Sequence, residues 1–115
     1  AKIYNSKLQH IEEICIPKCF SDIDSHIFHQ YTLKLNHVDR DKLCVYLQEK
    51  GIPFGIYYPV PLHLHKPYFD ERFENENFSN TNLLCKRVLS LPMHTELTED
   101  QIAFISNTII EFING

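Results

Sequence analysis

An α+β sandwich, with a small sheet covered by helices on one face, is the architecture that this chain of 115 residues predicts. Three observations carry the prediction. Residues 39–51 form an amphipathic segment closed by a glycine. Thr98 and Gln101 stand at capping-box spacing before a stripe of isoleucines. Two β-rich stretches, "YTLKL" and "VLSLP", precede the first and the second of these segments.

Taken in order, "KIYNSKLQHIEEI" places Ile3, Tyr4, Leu8, Ile11 and Ile14 at helical spacing, which predicts one amphipathic helix halted by Pro17. No N-cap residue precedes it and the chain opens on Ala1, so the expectation is a piece of something longer. "HIFHQYTLKL" alternates from Phe28 through Tyr31, Leu33 and Leu35 as a half-buried first strand would. Asp39 then serves as N-cap for a helix that ends with Lys50 and Gly51, a cation and a C-cap glycine. "IPFGIYY" reads as a second strand, with Pro53 marking a sheet edge or strand start. Residues 70–82 carry four acidic residues and four asparagines, the pattern of a solvated loop leading to an N-cap near Ser79. A short helix in "NTNLLCKR", a third strand in "VLSLP" stopped by Pro92, and a final helix striped by Ile102, Ile105, Ile109, Ile110 and Ile113 complete the chain.

Composition narrows the function. Hydrophobic residues at 43% and charged residues at 23% fit one ordinary globular domain. A net charge of −4 supplies no basic face for nucleic acid or an anionic membrane surface, so neither is expected as a partner. Cys15, Cys19, Cys44 and Cys85 lack metal or redox spacing, no apolar run approaches membrane length, and no signal peptide is seen. The expectation is a reduced cytoplasmic protein with mostly buried thiols.

The densest chemistry lies in "GIYYPVPLHLHKPYF", residues 55–69, with three prolines, two histidines and four aromatic rings. His63 and His65 share a face in extended backbone and could join His26 and His29 around zinc, but no acidic neighbour orients the rings, and no metal site is assigned. Cys44 and Cys85 sit in apolar helical stretches, which favours packing over nucleophilic work. Three glycines in all, with no P-loop and no G-x-G-x-x-G, build no phosphate cradle of that kind. Pro59 and Pro61 stiffen the segment and hold Tyr58 and Val60 extended. Such a loop at a strand end can present rings to a ligand, or it can be a packed corner plugged by Tyr57 and Leu62.

"HIFHQYTLKL" and "RDKLCVYLQEKGIPFGIYYPVPLHLHKPYF", followed by "FSNTNLLCKRVLSLPMHTELTEDQIAFI", resemble the C-terminal small domain of the DegT/DnrJ/EryC1/StrS aminotransferases. The resemblance implies a mostly antiparallel sheet like that of the C-terminal domain of fold-type I aminotransferases. Residues 1–18 would belong to an inter-domain helix, residues 19–115 would be the small domain, and the large domain would lie outside this chain. It also implies a pyridoxal-phosphate enzyme that moves an amino group from an amino acid, glutamate by expectation, to a keto nucleotide-sugar for cell-surface polysaccharide or related sugars. The lysine that binds the cofactor would sit in the large domain, so this chain is expected to hold no cofactor, to carry no catalytic residue and to be inactive alone. A homodimer is implied as well. Tyr58 and His63 match the loop tyrosine and final histidine that approach the substrate. Tyr57 stands where the family usually has its first histidine, and His29 is a candidate at the pocket edge. A non-catalytic binding or interaction domain of the same fold is the alternative.

Overall fold

The computed structural model describes residues 1–20, 22–73 and 77–115, so residues 74–76 of the expected acidic loop lie outside the described residues. The chain forms helices α1 (Lys2–Leu8), α2 (Arg40–Glu49), α3 (Ser79–Arg87) and α4 (Glu99–Asn114), and strands β1 (Ile14–Cys15), β2 (Tyr31–Leu35) and β3 (Val88–Leu91). The three strands make one antiparallel sheet in the order β1-β2-β3.

Local chemistry fixes the best-defined helices. The Asp39 carboxylate accepts from the backbone N–H groups of Asp41 and Lys42 and opens α2. At its other end Gly51 takes φ +70°, the Gly51 N–H donates to Gln48 O and the Ile52 N–H to Leu47 O. These two bonds satisfy carbonyls that the helix end leaves orphaned, and buried Leu47 and Ile52 accompany them. Thr98 and Gln101 exchange both capping-box bonds at the start of α4.

Tyr31, Leu33 and Leu35 point from β2 into the core, where they meet Tyr4 and Leu8 of α1, Leu43 and Leu47 of α2, Leu89 and Leu91 of β3, and Ile102, Ile105 and Ile109 of α4. The two tyrosines bury their rings without stranding a hydroxyl. Tyr4 donates to Pro92 O at 3.1 Å and Tyr31 donates to Asn5 Oδ1 at 2.5 Å. Their ring centroids lie 4.8 Å apart, which ties α1 to the sheet.

Several sequence expectations need correction. The first helix ends at Leu8 instead of running past Ile14, because Ile14 pairs with Leu35 and adds β1 to the sheet. The strand expected from His26 begins at Tyr31. "IPFGIYY" makes a single bridge, Gly55 opposite Ser90, and no strand, since Pro53 has no N–H to donate and Pro59 and Pro61 stop any continuation. The helix start expected near Ser79 holds, with Phe78 as the N-cap of α3, but no side chain bonds there. The four cysteines are free and half-buried rather than buried. Among the described residues no helix is long and apolar enough to cross a membrane.

Candidate functional site

The turn after α2 delivers the chain to the outer edge of β3. There Gly55 and Ser90 exchange both backbone bonds, Gly55 N–H to Ser90 O at 3.0 Å and Ser90 N–H to Gly55 O at 2.7 Å. Two residues on, the Tyr57 ring folds back over Gly55, filling the place a side chain at 55 would take. On the other side of β3, Tyr31 pairs with Leu91, so His29 and Gln30 before β2 meet Pro92, Met93 and His94 after β3.

These three stretches enclose an open hollow of about 370 Å³. Its polar walls are His29, Gln30, Tyr57 and His94, and Phe54 and Met93 are among its apolar ones. Ser90 also lines it, but its hydroxyl is committed to Thr32 Oγ1 at 2.8 Å across the strand pair. The imidazoles of His29 and His94 and the phenol of Tyr57 have no hydrogen-bond partner among the described residues, which leaves their polar atoms available to a ligand.

The four residues singled out from the sequence therefore fall in three places. His29 and Tyr57 come together in this hollow. Tyr58, 74% exposed, turns instead to a second hollow of about 360 Å³, lined mainly by apolar atoms of Val60, Pro61 and Leu62 with His65, Thr81 and Cys85. His63 lines neither hollow. It is half-buried and stacks on Phe78 with ring centroids 4.5 Å apart, a contact that pins the loop to the start of α3. Beyond Leu62–Leu64 the loop winds through two more 3-10 turns, Lys66–Tyr68 and Glu71–Phe73, and the Arg72 guanidinium holds the Asp70 carboxyl below the usual carboxylate range.

His94 was not singled out from the sequence, although it follows a strand halted by proline in "VLSLPMH". The missing step was register: only the pairing of Tyr31 with Leu91 shows that a residue just beyond β3 meets one just before β2. The hollow can donate hydrogen bonds and offer apolar faces, which suits a hydroxylated ring. Among the described residues no group of three or more His, Cys, Asp or Glu side chains could hold a metal ion. Burial pushes the Cys44 thiol above its ordinary value, the opposite of what a nucleophile needs. Pyridoxal phosphate requires a lysine for its aldehyde and a carboxylate for its ring nitrogen. The described residues lining the two hollows include neither, so they do not fit that group.

Comparison with known proteins gives a consistent set of relatives. Residues 1–110 match the DegT/DnrJ/EryC1/StrS aminotransferase family. The chain is 40% identical over 90 residues to UDP-N-acetyl-3-dehydro-alpha-D-glucosamine 3-aminotransferase of Acidithiobacillus ferrooxidans, covering 78% of this chain and 23% of that protein. It is 38% identical over 87 residues to a protein of Geobacillus stearothermophilus named pleiotropic regulatory protein, covering 76% of this chain and 23% of that one. Among solved structures, a DegT DnrJ EryC1 StrS aminotransferase from Brucella abortus aligns at TM-score 0.78 with 30% identity, over 96% of this chain and 28% of that one. S. venezuelae DesV, solved in complex with a ketimine intermediate, aligns at TM-score 0.87 with 26% identity, over 99% of this chain and 30% of that one. The chain spans about a quarter of the length of the first two relatives.

Proposed function

Because this chain belongs to the DegT/DnrJ/EryC1/StrS aminotransferase family, we propose that it forms the C-terminal small domain of an enzyme that aminates a keto nucleotide-sugar. The amino donor is an amino acid, glutamate by preference, and the product serves cell-surface polysaccharide or related sugar synthesis. Residues 1–18 lead from a large domain while α1 and β1 pack into the same core and sheet as residues 19–115, the small domain. The large domain holds pyridoxal phosphate, which supplies the electron sink for moving the amino group. This chain supplies a wall of the substrate pocket. His29 and Tyr57 hydrogen-bond the sugar nucleotide, Tyr58 reaches it from the neighbouring hollow, and His63 shapes the loop through Phe78. The exposed rings and leucines of the loop are covered by the large domain or by a second copy in a cytoplasmic homodimer.

The observation that carries this reading is the 40% identity over 90 residues to a relative named as a nucleotide-sugar aminotransferase. The test uses the product of the whole gene, supplied with pyridoxal phosphate, glutamate and 3-keto or 4-keto nucleotide-sugars. Mass spectrometry should find the amino sugar. Tyr58→Phe should lower kcat/KM for the sugar by about 5–10-fold, the worth of one hydrogen bond, with cofactor absorbance unchanged. No amino sugar from any keto nucleotide-sugar would overturn the reading in favour of a non-catalytic binding domain.

A further inference from the structure

Gly55 is a glycine for a reason other than its backbone angles. Its φ lies outside the left-handed region that Gly51 and Gly115 occupy, so its conformation admits any residue. A Cβ built there would collide with Cε2, Cζ and Oη of Tyr57, all nearer than real Cβ contacts come. The bridge to Ser90 fixes the Gly55 backbone, so the ring would have to leave. Gly55 and Tyr57 both line the hollow that His29 and His94 share.

We propose that Gly55 is a positioning residue for a ligand-hydroxyl subsite formed by His29, Tyr57 and His94. The absent side chain lets the Tyr57 ring lie on the backbone at the hollow wall. The two imidazoles, without partners among the described residues, supply further donors or acceptors, and Phe54 and Met93 receive the apolar face of the same ring. The ligand class is a hydroxylated ring, here the sugar of a nucleotide sugar, and that identity rests on the function proposed above. His94 is a specificity-determining residue of this subsite, and Tyr58 and His63 stand outside it.

Binding to this chain, followed by amide NMR, tests the proposal without catalysis. The probes are UDP-N-acetylglucosamine and UDP. The sugar-bearing probe should shift the amides of Gly55, Ser90 and His94, and UDP at equal concentration should leave them still. Ring protons of Tyr57 should show cross-relaxation to the Gly55 α-protons. Gly55→Ala should abolish the ring contact and weaken binding about 10-fold, yet cost nothing further in a Tyr57→Ala background. Tyr57→Phe, which keeps the ring seated, should retain the contact while weakening binding, and His94→Gln should weaken it as well. Absence of the Tyr57 to Gly55 contact, equal shifts with UDP alone, or an undiminished Gly55→Ala effect in the Tyr57→Ala background would each overturn the proposal. Failure of the whole enzyme to aminate a sugar would sink the proposed function while leaving this binding result intact.

Discussion

Strand β2 and the loop at residues 55–73 use the same residue types and give them opposite fates. Tyr31, Leu33 and Leu35 are 0%, 0% and 1% exposed, whereas Tyr58, Leu62 and Leu64 are 74%, 64% and 62% exposed. The difference lies in backbone pairing, not in hydrophobicity. In β2 the ladder to β1 and β3 satisfies the backbone, and the period of two sends alternate side chains to one buried face. In the loop, Pro59, Pro61 and Pro67 remove donors and favour 3-10 turns, so the side chains radiate and no common face forms. Leucines and rings therefore build a core only where the backbone gives them a shared direction. Where it does not, they remain available to be covered or to meet a ligand.

Truncation in each region sharpens that contrast, and the core should respond most. Leu33→Ala removes a fully buried side chain between α-helical and strand neighbours and should cost about 2–5 kcal/mol by urea unfolding. For a domain with net stability of about 5–15 kcal/mol, that is a large share.

Alkaline pH probes the same core through its tyrosines. Burial pushes Tyr4 up to about 12 and raises Tyr31 as well, with Tyr4 and Cys19 adding to the latter. A folded-state value above the unfolded one, which is about 10, means the stabilisation is fully present below pH 10 and is lost as pH rises toward the folded value. The urea midpoint should therefore be insensitive to these groups up to about pH 9.5 and fall above pH 10, by as much as about 1.4 kcal/mol per pH unit for each tyrosine. Tyr4→Phe should flatten the fall, and an unchanged fall would show that the ring is not buried as described.

The caps come next in size. Thr98→Ala deletes the acceptor for the Gln101 N–H and should cost about 1 kcal/mol, with helix signal lost in proportion to fraying of the first turn of α4.

Those same features were the ones most open to reading from the sequence, because each is decided within a few residues. The Asp39 cap, the Gly51 terminus and the Thr98–Gln101 box need no distant partner. The errors fell where distant pairing overrides local spacing. Ile14 keeps helical register with Leu8 and Ile11, yet it pairs with Leu35. Pro53 and Gly55 sit in β-rich sequence, yet only one bridge forms. The candidate site shows the same division. The prolines of loop 55–69 mark it as a stiff segment without deciding between a presenting loop and a packed corner, and the grouping of His29 and Tyr57 with His94, and the separation of Tyr58 and His63 from them, depends on strand register.

The smallest expected effect is the one that most directly tests the opening contrast. Leu62 and Leu64 are exposed and outside the core cluster, so replacing either with serine should change stability by no more than about 0.5 kcal/mol. Removing apolar surface should also reduce any self-association of this chain in sedimentation velocity, since patches of this kind drive proteins together. A cost near that of Leu33→Ala would mean the loop packs as a second core, and the rings would then be structural plugs. An unchanged midpoint with weaker self-association would instead mark the leucines as a surface meant for covering, which leaves His29, Tyr57 and His94 free to meet a ligand without any duty to the fold.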